Sequence, residues 1–158
     1  LTTAEIIVAD VNAVALTRAN EFGAAECIDT SADDLAAEVA RLTGGRGAQA
    51  VLDFVGNDST IAAGLACLAP RGSFVLIGAG DGGHAAPLFP ALATKPADIY
   101  CFQGPTVADT RAVLELAEQG ELHNRIEQFE FTEADIQRAY AKLASGDLIG
   151  RAVIKMGK

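Results

Sequence analysis

The sequence of 158 residues has no tryptophan, one methionine and only 6% aromatic residues. It has no apolar run of about 18 residues, which excludes a membrane-spanning helix read from sequence. Basic residues are outnumbered, 12 against 21 acidic, for a formal net charge of −9. Such a surface repels phosphate backbones and argues against a nucleic-acid partner. The three cysteines, Cys27, Cys67 and Cys101, lie far apart and form no C-x-x-C pair. Neither a zinc knuckle nor a redox couple is suggested. In their apolar runs they read as buried free thiols, and a reducing cytoplasm is the expected compartment. No signal-peptide pattern opens the chain. It begins Leu1-Thr2-Thr3-Ala4 and is strand-like by Glu5, so it reads as a piece of something longer.

What is present is alternation. Short β-branched or apolar runs at Glu5–Asp10, Ala24–Asp29, Ala48–Gly56, Ser73–Gly80 and Asp98–Gly104 read as strands. Helical patterns lie between most of them. Asn12 is placed to cap the first, which Gly23 ends. Ser31 with Asp34 forms a capping-box pattern ahead of Leu35, Val39 and Leu42, which share a helix face. Asp58 opens a third helix, and Pro70-Arg71-Gly72 turns the chain toward the next strand. Thr106 with Asp109 caps a helix whose apolar face is Val107, Leu114 and Ala117. Arg125–Phe131 alternates like a half-exposed strand. Thr132 with Asp135 caps a last helix bearing Ile136, Tyr140 and Leu143, and "LIGRAVI" closes as a strand. Such alternation predicts an α/β fold with a parallel sheet whose ligands bind at the carboxyl ends of the strands.

The segment "VLIGAGDGGH" contains the written form of the G-x-G-x-x-G fingerprint at Gly78, Gly80 and Gly83. A working fingerprint opens a helix whose first N–H groups meet phosphate. Here Pro87, Pro90 and Pro96 follow, which forbids a regular helix. The segment reads as a glycine turn leaving a strand, or as a backbone contact where glycine admits a flat ring.

Asp10 is the stronger signal. It ends "IIVAD" just before a helix. A carboxylate there accepts hydrogen bonds from both hydroxyls of an adenosine ribose and repels a 2′-phosphate. Val11 and Asn12 follow, not Arg or Lys, which favours NAD over NADP. An Asp helix cap is the plain alternative. In "LDFVG", Phe54 and Val55 read as core residues or as walls of a nicotinamide pocket. Arg151, after Gly150, reads as a solvated surface arginine, and neither His84 nor His123 has partners in a ligand pattern.

Taken in order, "EIIVADVN", "ANEFGAAECIDT", "LTGGRGAQAVLDFVGNDSTI", "LAPRGSFVLIGAG" and "LASGDLIGRAVIKMG" resemble the C-terminal half of medium-chain, zinc-containing alcohol dehydrogenases. The resemblance implies a Rossmann-type, doubly wound parallel sheet of order 3-2-1-4-5-6, incomplete because the first strand, the true glycine loop and its helix are absent from this chain. It implies a partial NAD-binding domain over residues 1–124, and a segment 125–158 that returns to the catalytic domain. Asp10 and Val11 would meet the adenosine ribose, while Phe54, Val55 and Gly56 line the cofactor cleft. Ile77, Gly78 and Ala79, with Tyr100 and Phe102, would meet the nicotinamide end, and Arg151 the pyrophosphate. The sequence departs from many relatives at Ala15, where they carry Lys or Arg.

The parent would take NAD(H) and a small alcohol or carbonyl substrate, hold a catalytic zinc by ligands outside this chain, and form a homo-oligomer with "DIYCFQG" as a dimer seam. A zinc-free quinone-type reductase of the same superfamily and a non-catalytic nucleotide-binding module are the rival readings. A sheet lacking its middle strand exposes two unpaired edges. The segment alone is therefore expected neither to catalyse nor to fold stably.

Overall fold

In the computed structural model, residues 4–80, 95–102, 104–122, 124–148 and 150–157 are described. The chain divides into two compact units, Leu1–Gly104 and Pro105–Lys158.

The first unit starts with β1 (Ile7–Asp10), α1 (Ala13–Glu21) and β2 (Glu26–Asp29). The two strands pair in parallel, with Ile7 opposite Glu26 and Asp10 opposite Asp29. Asn12 caps α1 as expected, its side-chain oxygen accepting from the N–H of Val14 at 2.9 Å and of Ala15 at 3.3 Å. The next cap falls elsewhere than the sequence pattern suggests. Asp29 Oδ1 captures both the N–H and the hydroxyl of Ser31, at 2.9 and 2.5 Å. With Ser31 held in that turn, Asp34 caps α2 (Leu35–Leu42), accepting from Ala37 N–H at 2.8 Å.

β3 (Ala48–Asp53), α3 (Asp58–Cys67), β4 (Leu68–Leu76) and β5 (Asp98–Cys101) complete this unit. They form a parallel three-stranded sheet in the order β3-β4-β5, while β1 and β2 form a separate pair. Among the described residues the sheet is thus broken between β1 and β3, where the expected order puts its first strand. The expected turn at residues 70–72 is an irregularity within β4. Register slips there, from Ala48 opposite Leu68 to Ala50 opposite Ser73, and Arg71 takes a φ of 64°. β3 itself stops at Asp53, three residues short of the expected end.

One side of β3 and β4 is sealed by α3. Ile61, Leu65, Leu68 and Phe74 form a buried cluster with Val51 against it. Gly64 makes this possible, since a Cβ there would stand 2.7 Å from the Phe74 ring. Burying a side chain of that size stabilises by roughly 2–3 kcal/mol. A second cluster, Ile28, Val39 and Cys67, draws side chains from β2, α2 and α3, with Ile7 and Val51 packed on it. It joins the two sheets on their helical side. Of the thiols expected to be buried, Cys67 is buried, Cys27 is half-buried and Cys101 is exposed. Cys101 differs because β5 is an edge strand exposed along its whole length.

The second unit contains α4 (Val107–Glu118), β6 (Ile126–Glu130), α5 (Glu133–Ser145) and β7 (Arg151–Lys155). β6 and β7 pair in parallel, Ile126 opposite Arg151. Thr106 and Thr132 cap their helices as expected. The helix faces differ from expectation. Ala139 of α5 is buried, as is Phe129 of β6, while Tyr140 and Leu143 are exposed. A pair of strands is too narrow to cover a wide helix face. No residue of α4 is buried, and Val107 and Leu114 of its expected apolar face are open. The sequence boundary at 124/125 lies inside this unit. No helix among the described residues is long and apolar enough to cross a membrane.

Candidate functional site

Asp10 stands at the carboxyl end of β1. Its Oδ1 accepts the Asn12 N–H at 2.9 Å. Since Asn12 is the cap of α1, Asp10 is not, which removes the plain alternative for this residue. Its second carboxylate oxygen has no protein donor among the described residues. Val11, beside it, is exposed.

At the carboxyl ends of β3 and β4 two turns meet. Phe54 and Val55 are 69% and 53% exposed, so core packing is not their role. Gly56 is buried at a φ of 74°. A Cβ on Gly56 would strike the Gly78 carbonyl, and one on Gly78 would strike the Phe54 carbonyl. Gly80 is held likewise, its Cβ position lying 2.8 Å from the carbonyl oxygens of Val55 and Gly56. Gly78 and Gly80 are therefore required by main chain packing on main chain. The third glycine of the written fingerprint, Gly83, and the proline-dotted stretch through Thr94 lie outside the described residues.

Asp53 organises this meeting point. It is 7% exposed, the buried charged residue among the described ones. Its Oδ1 accepts the N–H groups of Val55 and Gly56 at 2.9 and 3.0 Å. Its Oδ2 accepts the Thr60 hydroxyl at 2.9 Å. Its own carbonyl accepts the N–H groups of Ile77 and Gly78 at 2.8 and 2.9 Å. A buried carboxylate is costly unless its lone pairs are met, and here they are. In the sequence Asp53 is an Asp inside the apolar run "VLDFVG", with no task assigned to it. Its side-chain partners include a glycine three residues on and a threonine seven on, but the N–H groups its carbonyl takes are distant in sequence.

Tyr100 and Phe102 are exposed along β5 and just beyond it. The Phe102 N–H donates to the Leu76 carbonyl at 2.9 Å, extending the sheet by one bond. Arg151 belongs to the second unit. Its N–H donates to the Arg125 carbonyl at 2.9 Å, and its guanidinium reaches only the Gly150 carbonyl, at 3.3 Å. It has no carboxylate partner among the described residues. Thus the structure brings residues 54–56 and 77–79 together, sets Asp10 and the aromatic pair each at its own strand end, and carries Arg151 in the other unit. Two hollows, of about 320 Å³ beside Arg125 and Lys142 and about 190 Å³ beside Arg46 and Lys95, are lined by none of the residues of these turns. Among the described residues no group of three His, Cys, Asp or Glu is placed to hold a metal ion.

Comparison with known proteins bears on this arrangement. The chain is 33% identical over 147 residues to a quinone oxidoreductase of Pseudomonas aeruginosa, covering 86% of this chain and 44% of that one. It is 37% identical over 75 residues to an NAD-dependent alcohol dehydrogenase of Sulfurisphaera tokodaii, covering 48% of this chain and 22% of the relative. The solved alcohol dehydrogenase of Aeropyrum pernix superposes with a TM-score of 0.87 at 24% identity, over 98% of this chain and 44% of that one. The quinone oxidoreductase of Pseudomonas syringae gives 0.76 at 26% identity, over 97% and 49%. The chain thus spans less than half the length of these relatives, and its Rossmann-type fold is theirs. The family model described as zinc-binding dehydrogenase matches residues 2–119, three-quarters of the chain, and the chain belongs to that family.

Proposed function

We propose that this chain is the cofactor-binding part of an NAD-dependent alcohol dehydrogenase. The observation that carries the reading is Asp10. One of its oxygens is committed to Asn12, and the other has no protein donor among the described residues and stands at a strand's carboxyl end. That is a geometry for accepting from a ribose diol. A 2′-phosphate at the same place would meet a negative charge, with Val11 and Asn12, not Arg or Lys, next in the chain. The donor set fits NAD at this end of the site.

At the other end, Phe54, Val55 and Gly56 with Ile77, Gly78 and Ala79 form the wall for the nicotinamide, flanked by Tyr100 and Phe102. The N–H groups of Ile77, Gly78 and Phe102 are used inside the protein. A carboxamide would therefore pair with the carbonyls of this wall and with the Ala79 N–H. Arg151, whose guanidinium meets no carboxylate among the described residues, would take the pyrophosphate. Bound NAD supplies the hydride chemistry between an alcohol carbon and its carbonyl form. A zinc ion held by ligands outside this chain would supply Lewis acidity. In the whole enzyme residues 1–124 belong to the cofactor domain and 125–158 to the catalytic domain.

The second reading, a zinc-free quinone-type reductase, is favoured by the Pseudomonas aeruginosa relative, which matches far more of this chain than the alcohol dehydrogenase from Sulfurisphaera tokodaii does. Assays of the whole protein separate the two. Alcohol-dependent NAD reduction with stoichiometric zinc supports the first reading. NAD(P)H-dependent quinone reduction without zinc supports the second. Absence of any calorimetric signal with either NADH or NADPH overturns both and favours a non-catalytic module.

A further inference from the structure

We propose that Asp53 is a positioning residue that fixes the spacing of the two cofactor-facing turns, Phe54–Gly56 and Ile77–Gly78. The inference rests on the reading of those turns as the nicotinamide wall.

Phe54 and Val55 are exposed, so no packing of their own side chains anchors the first turn. The interlock of Gly56 with Gly78 and Gly80 is a steric limit. It sets how close the turns come, and does nothing to stop them parting. Beyond the β3–β4 ladder, which runs up to Asp53 opposite Leu76, attraction at the junction comes from Asp53. Its side chain holds the N–H groups of Val55 and Gly56, and its carbonyl holds those of Ile77 and Gly78. The remaining oxygen is braced by Thr60, in the first turn of α3. One residue therefore ties the end of β3, the end of β4 and the start of α3. A flat ring lying against both turns needs their separation constant, and this residue controls it.

The test uses the intact enzyme. Asp53→Ala removes the side-chain tether, and the expected result is a rise of about tenfold or more in KM for NAD with kcat within about threefold. Asp53→Asn keeps the oxygen that holds Val55 and Gly56. Thr60 can turn its hydroxyl to the Asn57 carbonyl, 3.1 Å away, so KM should stay within about threefold of wild type. Val39→Ala loosens the core of the same unit without touching either turn. It should lower the melting temperature and leave KM for NAD unchanged. If Asp53→Ala does not fold, Asp53→Ser replaces it, with the same expected rise.

The proposal is overturned if Asp53→Ala, or its Ser substitute, keeps the wild-type KM. It is equally overturned if Val39→Ala raises KM as much, because the effect is then general loosening. Failure of the wild-type enzyme to bind NADH, read by nucleotide fluorescence, overturns the reading of the turns and this proposal with it. A folded Asp53→Ala or Asp53→Ser variant with wild-type affinity overturns this proposal alone.

Discussion

Gly78 occupies the side-chain space of Gly56: a Cβ on Gly56 runs into the Gly78 carbonyl, while a Cβ on Gly78 runs into that of Phe54. Gly56 also holds a φ of 74°, which a side chain disfavours. Gly56→Ala combines left-handed strain with a clash against main chain, and should cost about 2–4 kcal/mol. Urea denaturation of the whole protein measures this. A loss under about 1 kcal/mol would mean that the turns part easily.

Asp10 carries the cofactor preference. Asp10→Gly in the whole enzyme removes both the ribose acceptor and the charge that faces a 2′-phosphate. Discrimination against NADP should fall by about tenfold, ~1.4 kcal/mol, as the ratio of kcat/KM for the two cofactors. An unchanged ratio would take the ribose away from Asp10.

The cap of α4 gives a pH signature. The hydroxyl and the N–H of Thr106 hold the Asp109 carboxyl below its ordinary value of 3.8. A carboxyl lowered on folding adds stability above its unfolded value, and loses it as pH falls through its lowered folded value. Thr106→Ala should therefore destabilise most at neutral pH, with the gap from wild type narrowing in acid below 3.8. Denaturant midpoints across that range check it. A gap independent of pH would show that the carboxylate takes no part.

Thiol labelling separates Cys67 from Cys101. Burial pushes the Cys67 thiol upward, and the nearby Asp34 adds to the shift. The thiolate is the reactive form, so Cys67 should alkylate slowest at neutral pH while exposed Cys101 reacts first. Mass spectrometry after timed iodoacetamide reads the order. Equal rates at the two sites would contradict the burial of Cys67.

Much of this fold is legible in the sequence because its signals are local. Asn12, Thr106 and Thr132 cap helices with oxygens placed two or three residues from the N–H groups they take. The strands of the first unit announce themselves as short apolar runs. Ser31 misled because it and Asp34 make a local pattern, while Asp29, just upstream, competes for the same serine. Tyr140 and Leu143 have helical spacing, but the two-stranded sheet beneath α5 takes Ala139 instead. At the site, Asp10 is visible from its place at a strand end. Asp53 is not, because its task depends on Ile77 and Gly78, more than twenty residues away, meeting it at the neighbouring strand's end. The glycines of "VLIGAG" were legible as necessary, but the reason for them, a second stretch of backbone, comes only from the fold.

The break between β1 and β3 has a consequence for how the first unit assembles. Each sheet is made of strands successive in sequence, so each can form from its own stretch of chain. What unites them is the cluster of Ile28, Val39 and Cys67 between α2 and α3. Hydrogen exchange would then divide this unit into two cooperative foldons, one containing β1 and β2, the other β3 to β5. Truncating Val39 would uncouple their opening without melting either, so a mutation on the helical side would report on the two sheets' independence.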